Sequence, residues 1–68
     1  MRYAVVIEKS ESGFGAYVPD LPGCVAVAET LVETERLIRE AIEFHLEGLR
    51  EDGIHAPEPS ALAQYVEV

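Results

Sequence analysis

The chain has 68 residues, 49% of them hydrophobic and 26% charged, a balance that fits one folded domain and excludes a disordered tail. Thirteen acidic side chains face five basic ones for a formal net charge of -8, with no basic run anywhere, which argues against direct nucleic-acid binding. One cysteine and two histidines provide neither an internal disulfide nor a zinc ligand set, so a domain this small is expected to gain stability from itself, as a homodimer or higher homo-oligomer.

Tyr3 to Lys9 is rich in β-branched residues and is followed by Ser10, Glu11, Ser12 and Gly13, which are turn formers. This predicts a first strand and its hairpin. The apolar run Ala4 to Ile7 is far too short to cross a membrane and is broken by Glu8 and Lys9, so a cytoplasmic protein without membrane contact is expected. Phe14 to Val18 continues as a second strand until Pro19, which has no N–H to give a ladder. In the next connection, Asp20-Leu21-Pro22-Gly23, Pro22 suits the first central position of a type II turn and Gly23 the positive φ of the second. Cys24 to Ala28 is a third short strand.

Thr30 followed by Glu33 is a capping box, with Glu29 adding negative charge at the positive end of a helix. The helix is expected from Leu31 to Asp52, with Gly53 as the residue that ends it. Ile38, Ala41, Ile42, Leu46 and Leu49 recur at spacings of three and four and form one apolar stripe. Glu35, Arg36, Arg39, Glu40, Glu43 and Glu47 occupy the other side, where Glu35 and Arg39 are spaced for an ion pair. At about 1.5 Å per residue the helix is longer than three short strands can cover. Its second half, with Phe44, His45, Leu46 and Leu49, is therefore the expected oligomer interface. Ile54 to Ser60, with Pro57 and Pro59, reads as an extended connector, and the alternation at Tyr65 to Val68 as a last strand starting near Ala63. The order β-β-β-α-β is an α+β domain over residues 1–68, a helix covering one face of a mainly antiparallel sheet.

No residue pattern points to catalysis. Cys24 lacks a partner base in sequence and reads as a small core residue. His45 lies on or beside the apolar stripe and reads as a packed histidine, and His55 faces solvent. Glu8 and Asp20 are the only acids placed for a two-metal nuclease centre, too few for one, so no enzyme, metal or cofactor is expected. Asparagine is absent and glutamine occurs once, at Gln64, a faint sign of heat adaptation that a melt below about 65 °C would remove.

Tyr3 to Glu8, Gly13 to Val18, the stretch Pro19-Asp20-Leu21-Pro22-Gly23-Cys24, and the helix from Thr30 through Ala41-Ile42-Glu43 and His45-Leu46-Glu47 to Gly53 together resemble the amino-terminal domain of HicB antitoxins. The likeness covers nearly the whole chain, and the Pro-Asp-Leu-Pro-Gly-Cys stretch is its most specific part. The resemblance implies a partial ribonuclease-H-like fold that assembles with itself and silences a small basic HicA-type toxin that cleaves messenger RNA. Many such antitoxins add a DNA-binding domain, which is not expected here. Pro19, Asp20, Leu21 and Pro22 form a rigid loop beside a strand edge, suited to partner contact. Glu40, Glu43, Glu47 and Glu51, with Asp52, could imitate a phosphate backbone for a basic toxin. The rival reading is a stand-alone, self-assembling structural or regulatory module with an unrelated partner or ligand.

Overall fold

A computed structural model describes all residues, Met1–Val68. Three strands, β1 (Val6–Ser10), β2 (Gly13–Tyr17) and β3 (Val25–Ala28), form an antiparallel sheet in the order β1-β2-β3, and one helix, α1 (Leu31–Glu51), follows. Val6 opposes Tyr17 and Ser10 opposes Gly13, so Glu11 and Ser12 alone make the hairpin turn. Neither turn residue has positive φ; Gly13, at φ 152°, accommodates the junction, and the Ser10 hydroxyl donates to its carbonyl at 3.2 Å.

The first strand begins at Val6 rather than at Tyr3. In the observed register the next positions of β2 are Val18 and Pro19. Alternate N–H groups of β2 face β1 and β3, so the Val18 N–H continues toward β3 and reaches the Cys24 carbonyl at 3.3 Å. The next one due to face β1 belongs to Pro19, which has no N–H, and the β1–β2 ladder stops there. The turn chemistry of the following loop is as the sequence implies. The Cys24 N–H donates to the Leu21 carbonyl at 3.1 Å across Pro22 and Gly23, and Gly23 has φ 85°.

Ala16 on β2 and Ala26 on β3 are ladder partners on the inner face, next to the pair Phe14 and Ala28. The small side chains of Ala16, Ala26 and Ala28 let α1 settle across β2 and β3, while it stays clear of β1, where the inner face carries the larger Ile7 and, just before the strand begins, Tyr3 and Val5. Ala16, Val18, Leu21, Cys24 and Ile38 form the buried core, with Thr34. Thr34 is fully buried yet satisfied, because its hydroxyl donates to the Thr30 carbonyl one turn back at 2.8 Å.

The helix has both expected ends. The Thr30 hydroxyl accepts the Glu33 N–H at 3.1 Å. At the other end Gly53, at φ 70°, sends its N–H to the Arg50 carbonyl, and Ile54 reaches the Leu49 carbonyl at 2.9 Å, a Schellman arrangement. The expected Glu35–Arg39 pair is absent. Arg36 takes that role, bridging Glu33 and Glu40, the latter at 2.7 Å. The capping glutamate thus turns toward Arg36, along the helix surface.

The expected last strand is not formed: residues 55–68 carry no regular structure. Alternating polarity describes a strand's faces but supplies no ladder partner. The segment is instead pinned at two points and then leaves the surface. The Tyr3 hydroxyl donates to the Pro57 carbonyl at 2.6 Å, and the Asp20 carboxylate receives Ser60 and Ala61.

Candidate docking surfaces

Three surfaces of this frame bear on partner contact, besides the sheet face opposite the helix. The first is the solvent side of α1. Glu40, Glu43, Glu47 and Glu51, spaced by three, four and four, line one face and are all exposed. Phe44 stands among them, 82% exposed, with Glu40 one turn before it and Glu47 one turn after. The helix thus separates the residues expected together at an oligomer interface. His45, Leu46 and Leu49 are half-buried toward the apolar stripe, and Phe44 points away with the acids.

The second surface is the loop after β2. Its four expected contact residues divide in two. Pro19 and Pro22 are exposed, but Leu21 is fully buried and offers a partner nothing; it anchors the loop in the core. An apolar residue between two prolines carries no sign of which way the loop closes, so sequence spacing alone could not place it. Asp20 is occupied, accepting the Ser60 and Ala61 backbone N–H groups at 2.9 and 3.0 Å and the Ser60 hydroxyl at 2.9 Å. The Ala61 and Ser60 N–H groups, followed by the Ser60 hydroxyl, hold its carboxyl below the usual aspartate range.

The third surface was not foreseen from sequence. Where α1 stays clear of β1, a groove of about 550 Å³ opens between Tyr3, Val5 and Ile7 on one side and Ile38, Ile42 and Leu46 on the other. Glu35, Arg39 and Glu43 stand along it. Both walls were legible as apolar patterns; the gap between them depends on where the helix lands.

Cys24 is buried in the core, as expected, and burial pushes its thiol pKa up, away from a reactive thiolate. His45 is half-buried and His55 exposed. No three His, Cys, Asp or Glu side chains gather in a way that could hold a metal ion. No helix is long and apolar enough to cross a membrane.

A three-stranded antiparallel sheet under one long helix, with its open surfaces acidic or apolar, defines a small two-layer α+β domain. The profile of the HicB-like antitoxins of bacterial toxin–antitoxin systems matches residues 3–68, and the chain belongs to that family, whose members are generally non-catalytic. An uncharacterized 14.9 kDa protein of the rep-hol intergenic region of Haemophilus phage HP1 is 41% identical over 66 residues, which cover 97% of this chain and 50% of that protein. The chain thus spans half the length of this phage relative. A UPF0150 protein of Helicobacter pylori strain J99 is 49% identical over 52 residues, covering 76% of this chain and 72% of the relative. Among solved structures, a chain of the HicA3 and HicB3 toxin–antitoxin complex superposes with a TM-score of 0.72 at 32% identity, covering 87% of this chain and 70% of that one.

Proposed function

We propose that this chain binds and neutralises a small basic, messenger-RNA-cleaving toxin of the HicA type, with the acidic face of α1 as its main contact. The observation that carries this reading is Phe44, an exposed aromatic framed by Glu40, Glu47 and Glu51 on a HicB-like fold. An aromatic anchor inside a polar rim is the usual anatomy of a binding hot spot. Glu40, Glu43, Glu47 and Glu51 would steer a basic partner and stand where it expects phosphates, while Pro19 and Pro22 offer a rigid second contact. The superposition on a chain of a toxin–antitoxin complex supports the same reading.

The test is co-purification with any small basic protein encoded beside this gene, together with an assay of RNA cleavage by that protein. Binding that stops cleavage is expected, weakened by salt and reduced roughly tenfold or more in a Glu40→Lys/Glu47→Lys variant. Affinity indifferent to both salt and these substitutions would overturn the assignment to this face.

A second reading, self-association, is favoured by how little the chain buries. Only 6 of 68 residues are buried, while Val25 and Val27 are 62% and 77% exposed on the sheet face opposite the helix. A core this small stabilises a domain poorly on its own. A mass of twice the chain or more, from light scattering at micromolar concentration, is the expected outcome; a single-chain mass would remove this reading.

A further inference from the structure

The groove and the segment after Ala61 are complementary, and neither is satisfied. Once past its anchors on Tyr3 and Asp20, the chain borders a shallow cleft opposite Arg2, Tyr3 and Ala4 at Ala61 to Ala63 and then leaves the protein. Leu62 is 94% exposed, Tyr65 96% and Val66 78%, so three large apolar side chains stand in water while an apolar groove of the same chain stands open. We propose that residues Leu62 to Val68 of one copy lie in the groove between β1 and α1 of a second copy, and that the exchange is reciprocal. This rests on the self-association proposed above and states what forms it.

Four features fit this occupant. β1 is an edge of the sheet, so an extended segment beside it would also meet unpaired backbone groups. Seven extended residues reach about 23 Å, enough to run the length of the wall from Tyr3 to Ile7. One charge pairing is available, although Glu35 and Glu43 also stand along the groove. The only charged side chain from Leu62 to Val68 is Glu67, and the one base on the groove, Arg39, makes no ion pair in its own chain. The exit is also held in place, since Asp20 and Tyr3 fix Pro57 to Ala61 without tying down anything beyond them.

The test uses the full chain. In the first arm, Leu62→Ser/Tyr65→Ser/Val66→Ser removes apolar side chains that support nothing within their own chain. The variant is expected to keep the wild-type circular dichroism while its mass falls from a multiple of the chain to a single chain. In the second arm, a photoreactive benzoylphenylalanine replaces Tyr65 in an equal mixture of ¹⁴N and ¹⁵N chains. Crosslinks are expected on residues 3–7 or 38–46 and to join differently labelled chains. A wild-type mass of one chain would defeat both self-association and exchange. An oligomer that survives the triple substitution, or crosslinks confined to one chain, to other surfaces or not formed at all, would defeat the exchange alone and leave self-association standing.

Discussion

Asp20 holds Ser60 across forty positions of sequence with both carboxylate oxygens, one accepting the Ser60 N–H and the other its hydroxyl, each at 2.9 Å. Ala61 adds a third bond at 3.0 Å. A loop aspartate that reads as a contact for a partner is thereby committed to its own chain, and it sets the point from which residues 62–68 depart.

The clamp is pH-dependent with a definite sign. The Asp20 pKa is lowered in the folded chain, first by the Ala61 N–H and then by Ser60, so its contribution is complete above the ordinary aspartate pKa of about 3.9 and is lost as pH falls through the lower folded value. The Ser60 and Ala61 amide resonances should therefore move together on acidification, with a midpoint below that ordinary value. In Asp20→Ala both amides should already exchange quickly at neutral pH while the β1–β2 ladder amides stay protected. A midpoint at or above the ordinary value would mean that the clamp does not form in solution.

Two glycines should respond to alanine in opposite directions. At Gly13 the backbone has φ 152°, and an added methyl would run into the Ala28 carbonyl oxygen, which as backbone cannot swing aside. Gly13→Ala should cost more than about 1 kcal/mol, with a fall in Tm of at least roughly 4 °C. Gly48, inside α1 with open space around it, should gain about 0.5–1 kcal/mol from the same change. Thermal melts of the two variants check both signs.

Ile38 is the one helix residue in the buried apolar core. Ile38→Ala should cost about 2–5 kcal/mol, a large share of the total for a domain of this size. Thr34→Val keeps the shape but removes the hydroxyl. It should cost only about 1 kcal/mol, since the Thr30 carbonyl still accepts the backbone N–H of residue 34 at 3.0 Å. Urea titrations of the two variants would show the difference; equal costs would mean that the hydroxyl contributes as much as the core side chain.

Cys24 should react with a thiol reagent roughly tenfold or more slowly in the native protein than in denaturant, because it must first be exposed. Equal rates would place it outside the core.

Three strands, one capped helix and the turn at Pro22 and Gly23 were legible in sequence because each rests on local chemistry: β-branched runs, a Thr-Glu capping pair, a proline followed by a glycine at positive φ, and Gly53 at the helix end. The Pro-Asp-Leu-Pro-Gly-Cys stretch also carried the family. Three features were not legible. The Glu35–Arg39 spacing is no better than that of Arg36 with Glu33 and Glu40, and the choice falls to side-chain direction on the folded helix. Leu21 could have faced either way until the loop closed over the core. The alternation after Ala63 looked like a strand, but a strand exists only where another backbone pairs with it.

By itself, then, the sequence determined the elements, their order, their caps and the acidity of the helix face, all of which depend on residues a few positions apart. Tertiary structure alone decided that α1 rests on the small residues of β2 and β3 and leaves β1 uncovered, and that Asp20 and Tyr3 capture the connector. Those outcomes turn on contacts between residues forty to fifty-four positions apart and on which side chains are small enough to let a helix approach.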